Sequence, residues 1–285
     1  MAKFKQSRRD LSKRPQKGPS KPRQTERKSS PSSSGNRGER SENSGYFWIF
    51  GTHATFAAIA NPARKFRRIL LTRSAAETLA EQMKGKMPSV EPEICERHVI
   101  DDLLPDGVVH QGVAALTAEL EDFGIEGLCR SLSEAESARV VVLDQATDPR
   151  NIGAVLRSAA AFGASAVIIQ DRNGPEMGGT LAKAASGALE TVPLIRQTNL
   201  SRCLKSLKDA GFWCVGLDGN TSDQLGDLNL SGKIALILGS EGSGLRRLVK
   251  ENCDHVAKIP IQSAMESLNL SNAAAIALYE TIRSK

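Results

Sequence analysis

Lys233-Ile234-Ala235-Leu236-Ile237-Leu238-Gly239-Ser240-Glu241-Gly242-Ser243-Gly244 is the stretch that decides the fold. Five consecutive apolar residues end on a glycine turn, the pattern of a strand buried on both faces of a parallel sheet. A helix through Val249 follows. A strand that runs through glycines into a helix suits a nucleotide-like ligand. The order G-x-x-G-x-G is not the dinucleotide G-x-G-x-x-G, and the Lys-Ser/Thr of a P-loop is missing. Hydride transfer and NTP hydrolysis are therefore weak readings. The glycines still imply a close approach of backbone to something.

Outward from this stretch, strand and helix alternate. Upstream lie a strand at Arg139–Leu143, a helix from Asn151 to about Phe162, a strand at Ala166–Ile169 and a short helix at Ala182–Gly187. A strand at Thr191–Ile195, a helix capped by Asn199 and running to Asp209, and a strand at Phe212–Leu217 come next. Downstream are a strand at His255–Ile259 and an alanine-rich helix at Ser271–Ser284. Apolar strands separated by helices predict an α/β domain over 138–285, with a mostly parallel sheet covered on both faces. Residues 46–122 predict a smaller α/β domain: Tyr46–Gly51, a helix at Thr52–Ala60 with Thr52 as its cap, a strand at Arg68–Thr72, a helix at Ala75–Met83 and a short strand or turn at Val113–Leu120. Residues 123–137 read as a helical or extended connector.

The 285 residues hold 38 Lys/Arg and 32 Asp/Glu, a net charge of +6. Residues 1–45 alone hold 13 Lys/Arg and 4 Asp/Glu, so the folded remainder is slightly acidic. Ser, Pro, Gly, Lys and Arg dominate this tail, which predicts disorder. It reads as a solubilising segment, a basic arm for polyanionic RNA or DNA, or a transit peptide without the usual apolar stripe. The chain has no apolar run of membrane length and no secretory signal. Five widely spaced cysteines without a C-x-x-C pair argue against a disulfide scaffold or a zinc site. A cytoplasmic protein with reduced thiols, no membrane partner and no metal is expected.

Two further polar segments accompany the glycine turn. Asp148-Pro149-Arg150-Asn151-Ile152-Gly153-Ala154-Val155-Leu156-Arg157 joins the first strand of the larger domain to its helix. Asn151 and Arg157 lie on different sides of an ideal helix, but both reach the strand ends if Asn151 sits at the cap. Ile259-Pro260-Ile261 and Glu266-Ser267-Leu268-Asn269-Leu270-Ser271 precede the last helix, where Ser267 and Ser271 also read as ordinary caps. In this order and spacing, D-P-x-N-x-G-x-x-x-R (148–157), L-G-x-E-G-x-G (238–244) and I-P-x…S-L-N-x-S (259–271) resemble the three motifs of the SpoU (TrmH-type) branch of the SPOUT RNA methyltransferases. Phe50-Gly51-Thr52-His53-Ala54 and His110-Gln111-Gly112 resemble the small RNA-binding domain of the bacterial 23S rRNA guanosine-2′-O-methyltransferases. Asn272, where an apolar residue is usual, and the long tail depart from the pattern.

The resemblance implies a SPOUT (alpha/beta knot) catalytic domain whose C-terminal segment forms a trefoil knot, a rare exception to ordinary chain topology. It also implies a small N-terminal domain like ribosomal protein L30e. The implied reaction is S-adenosylmethionine-dependent 2′-O-methylation of RNA ribose by a homodimer, on guanosine in 23S rRNA. A tRNA 2′-O-methyltransferase of the same fold and a non-catalytic ribosome-assembly factor are the alternatives. Cofactor contacts fall on Gly239, Ile259, Ile261 and Leu268. Catalytic roles fall on Arg157, with Asn151, Glu241, Ser267 and Asn269 orienting it, the substrate or the cofactor loop. Arg157 acts either as a deprotonated base or as a cation that holds a phosphate and steadies a developing alkoxide.

Overall fold

The computed structural model describes residues 45–83, 88–172, 174–262 and 264–283. The basic tail expected over 1–45 lies, except for Gly45, outside the described residues.

The N-terminal part is a four-stranded sheet of order β1-β4-β2-β3, from β1 (Tyr46–Phe50), β2 (Phe66–Leu71), β3 (Glu93–Ile94) and β4 (Val113–Ala118). β4 is antiparallel to β1 and β2, and β2 is parallel to β3. Helices α1 (Thr52–Ala60), α2 (Arg73–Met83) and α3 (Arg97–Asp101) connect the strands. Gly51, at φ 88°, holds the cap position of α1, so Thr52 is the first helical residue and not the cap. The Thr52 N–H that a side-chain cap would leave open is taken instead by Gln111 Oε1 at 3.0 Å.

Helix α4 (Gly124–Ser131) lies in the stretch read as a connector and packs its buried Ile125 and Leu128 on the second sheet. That sheet is parallel throughout. Its order is β10-β8-β9-β5-β6-β7, from β5 (Ala138–Leu143), β6 (Ala166–Gln170), β7 (Leu194–Gln197), β8 (Trp213–Leu217), β9 (Lys233–Leu238) and β10 (His255–Ala257). β5 pairs with β9 from Ala138↔Lys233 to Leu143↔Leu238, and every β5 residue is buried. Helices α5 (Pro149–Ala161), α6 (Gly179–Ala185) and α9 (Leu270–Arg283) contribute buried residues to one face, while α4, α7 (Leu200–Asp209) and α8 (Arg247–Glu251) contribute to the other. This two-faced cover is why the strands read as unbroken apolar runs.

Four local expectations need correction. Helix α5 begins at Pro149, because Asp148 is its cap and its carboxylate accepts the Arg150 N–H at 2.8 Å; Asn151 lies inside the first turn. β7 begins at Leu194 and not Thr191, since a 3₁₀ turn occupies Ala188–Glu190 and Pro193 has no N–H to give a ladder. β10 stops at Ala257 opposite Leu217, the end of its only partner, and Lys258 N–H turns to Asp223 O at 2.8 Å. Helix α6 starts three residues earlier than its alanines suggest, at Gly179.

Candidate active site

The C-terminal ends of β8 and β9 open into a cleft of about 790 Å³. Parallel α/β sheets bind ligands at this end, outside the carboxyl ends of their strands. The glycine turn after β9 forms one wall. It closes on itself through the Gly244 N–H and Ser240 O at 3.0 Å, and the Ser240 and Ser243 hydroxyls meet at 2.5 Å. A Cβ at Gly239 would run into the backbone of Gly244 and Leu245. The glycine is therefore needed by the turn itself, before any ligand is considered. The opposite wall is the segment after β10, including Ile259, Ile261, Ser267 and Leu268. All four expected cofactor contacts, Gly239, Ile259, Ile261 and Leu268, line this one cleft.

At the cleft's edge, where Glu241 lines it, three polar side chains from the three motifs form a closed ring. Asn151 Nδ2 donates to Glu241 Oε1 at 2.9 Å, Asn269 Nδ2 donates to the same oxygen at 2.9 Å, and Asn269 Nδ2 also reaches Asn151 Oδ1 at 3.0 Å. The Leu270 N–H adds a fourth contact, to Glu241 Oε1 at 3.2 Å. Asn269 Oδ1 accepts the Ser271 N–H at 2.9 Å and its hydroxyl at 2.6 Å, so Asn269 caps α9. Ser271 is therefore not the cap, and Ser267 is exposed and makes no hydrogen bond among the described residues. Glu241 is engaged as an acceptor that joins three loops, which makes it a scaffold more than a base.

Arg157 stands apart. It is exposed on α5, its side chain makes no hydrogen bond or ion pair with the described residues, and it does not line the cleft. The chain by itself does not bring Arg157 to the ring.

Sequence reading missed two ion pairs that hold the cleft. Asp144, fully buried at the end of β5, accepts the Arg246 N–H at 2.9 Å and its guanidinium at 2.7 Å. The signal was an acidic residue directly after the apolar run Val140–Leu143. Asp218, at the end of β8, pairs with Lys250 at 2.5 Å. That ammonium, with the Asn220 N–H, holds the Asp218 carboxyl below its usual range. Gly153 was read as a motif residue, but its Cβ would sit 2.5 Å from Ala184 Cβ and 2.6 Å from Leu181 O. It is the position where α5 and α6 touch.

Among the described residues, no group of three His, Cys, Asp or Glu side chains is placed to hold a metal ion, and no helix is long and apolar enough to cross a membrane.

Residues 138–279 match the SpoU rRNA Methylase family, and residues 48–123 match the RNA 2′-O ribose methyltransferase substrate binding domain. The 23S rRNA (guanosine-2′-O-)-methyltransferase RlmB of Vibrio vulnificus is 35% identical over 240 residues, 84% of this chain and 97% of the relative. That of Escherichia coli K12 is 34% identical over 239 residues, 83% and 98%. In fold, the chain is similar to the SpoU methyltransferase AviRb of Streptomyces viridochromogenes, with a TM-score of 0.71 at 23% identity over 87% of this chain and 93% of that one. The chain belongs to the SpoU rRNA methylase family.

Proposed function

We propose that this protein methylates the 2′-hydroxyl of a guanosine ribose in 23S rRNA. The observation that carries the proposal is the Asn151–Glu241–Asn269 ring, which joins all three motifs at the edge of one cleft. The nucleotide class and the RNA follow from the two relatives, which match over nearly their whole length.

The cleft fits S-adenosylmethionine. Its volume lies in the range of ordinary small-molecule sites. Backbone at Gly239 and apolar side chains of Ile259, Ile261 and Leu268 suit an adenine and ribose. When bound, this cofactor supplies a methyl group already activated by its positive sulfur. The task left to the chain is to align the hydroxyl in line with that methyl group and to take up or offset its proton. Transfer would form a ribose oxygen–carbon bond as the donor's sulfur–carbon bond breaks, and the hydroxyl proton would pass to Arg157 acting as a deprotonated base or, with Arg157 cationic, to water. Asn151, Glu241 and Asn269 orient the loops, with Ser267 close by. Arg157 is the residue that meets the hydroxyl or its phosphate.

Arg157 reaches a cleft across a homodimer in this reading. Its support is the exposed apolar surface on the same side of the sheet: Ile276 and Tyr279 on α9 are exposed, and Tyr279 packs edge-on against Phe162 just beyond α5. The loops at about 238–244 and 259–271 belong to the trefoil knot in this reading, the 46–122 domain is the L30e-like RNA reader, and the enzyme acts in the cytoplasm. Residues 1–45 add phosphate contacts of no sequence preference.

The deciding experiment maps ribose methylation in rRNA and tRNA from cells with and without the protein, beside in vitro transfer from labelled S-adenosylmethionine. Loss of one 2′-O-methylguanosine in 23S rRNA is expected. Loss of a tRNA site instead, or of no site, overturns the proposal.

A further inference from the structure

The two sheets meet on α6 and the 3₁₀ turn behind it. The Arg64 guanidinium donates from Nε to both Glu190 oxygens, at 3.1 and 3.0 Å, and from Nη2 to Oε1 at 2.9 Å. Both side chains are buried, 1% and 7% exposed. Asn61 Nδ2 donates to the same carboxylate at 2.8 Å, and Arg64 Nη1 donates to Ala118 O at 2.8 Å, so the pair is fully coordinated. Around it, Gly179 lies against the Phe50 ring, Gly187 against Ala57, and Lys183 Nζ donates to Val109 O at 2.6 Å. On its other side α6 receives Gly153 of α5, the helix whose first turn carries Asn151. One helix is thus gripped by the N-terminal domain and by the element that begins the catalytic ring.

A buried ion pair is a poor device for stability alone, because desolvation of both charges offsets their attraction. What a bidentate Arg–carboxylate fork gives, and an apolar contact does not, is a fixed orientation. Domains joined without such a constraint move relative to one another by default.

We infer that Arg64 and Glu190 are positioning residues for methyl transfer: their ion pair holds the RNA-binding domain at one angle on α6, and that fixed angle selects which ribose reaches the cleft. The inference rests on the RNA-methyltransferase reading above, and concerns residues that touch neither cofactor nor substrate.

The test is the double variant Arg64→Met/Glu190→Met, which removes both charges and leaves neither orphaned, with Arg64→Lys as the conservative control. Single-turnover methyl transfer is measured on a long 23S rRNA fragment and on a short hairpin carrying the target alone, with methylated positions mapped. Small-angle scattering of each protein reads the domain arrangement without any RNA. The expected result is a scattering profile broadened for the double variant, unchanged S-adenosylmethionine affinity, wild-type rate on saturating hairpin, a KM at least fivefold higher on the long fragment, and some methyl groups on neighbouring riboses. Arg64→Lys should fall between. A double variant with a wild-type profile, KM and single methylated position overturns the inference. If the wild type methylates no 23S rRNA fragment, the function reading fails instead, and the scattering comparison still judges the lock.

Discussion

The Asp144 carboxylate, fully buried where β5 ends, is held from two sides by Arg246, through its backbone N–H and through its guanidinium. This pair anchors the far end of the glycine turn to the neighbouring strand. Arg246→Ala keeps the backbone N–H bond but takes the cation from a buried carboxylate, and with the guanidinium partly exposed the loss is about 1.5–3 kcal/mol. A clear drop in melting temperature and weaker S-adenosylmethionine binding by calorimetry are expected, with Arg246→Lys in between. An unchanged melting temperature would show that the anchor is dispensable.

Glu241→Gln keeps the shape of the ring residue but removes its charge and one acceptor. Hydrogen bonds to a charged group contribute about 1.5–3 kcal/mol. Methyl transfer should fall roughly tenfold or more by that measure, while the fold survives. Rates within a factor of two of wild type, under single-turnover conditions, would reduce the ring to a loop fastener.

Arg157→Lys retains positive charge and loses the planar fork of donors. A residue aligned on the 2′-hydroxyl should lose as much activity from this change as from Arg157→Ala, with cofactor affinity intact in both. Single-turnover transfer at saturating RNA decides it: a Lys variant within a few-fold of wild type returns Arg157 to the role of an RNA-docking cation.

Gly153→Val drives a branched side chain into Ala184 and the Leu181 carbonyl. Overpacking of this kind destabilises by about 1–3 kcal/mol or more. Chemical denaturation should show it, and a variant as stable as wild type would mean that α5 and α6 separate easily.

Burial pushes the thiols of Cys203, Cys214 and Cys253 up to about 12. Near pH 8 they should resist iodoacetamide in the native protein and react once it is unfolded. Because the folded values lie above the ordinary thiol value of 9.0, stability is intact below that pH and declines as pH climbs from there toward 12. Rapid native alkylation of these three, followed by mass spectrometry, would contradict their burial.

The parallel sheet was legible because its strands carry apolar runs without alternation, as Val140–Leu143 of β5 shows. Helix α7 was equally plain: the Asn199 side chain accepts the Arg202 N–H at 3.0 Å, as its position before the apolar stripe predicted. Less legible were boundaries set by tertiary partners. Thr52 looks like a cap until Gln111, distant in sequence, takes its N–H. In the site, the resemblance named Asn151, Glu241 and Asn269, which meet in the ring, and Gly239, Ile259, Ile261 and Leu268, which line the cleft. It did not find Arg246 or Lys250, since each takes its role from a carboxylate on another strand. Nor did it distinguish a glycine that admits a ligand from Gly239, which the turn's own backbone requires.

The central position of β9 has a consequence for the life of the newly made chain. β9 lies between β8 and β5, so the sheet cannot close by adding strands in the order of translation; a late strand must enter between two earlier ones. The wall from Ile259 to Leu270 is synthesised later still. N-terminal domains tend to fold first during synthesis, and pairings distant in sequence form slowly. All four strands of the N-terminal sheet, which end at Ala118, are therefore synthesised well before the cleft residues. The cofactor cleft is thus among the last parts of the chain that can take shape, because both of its walls come from residues beyond 216.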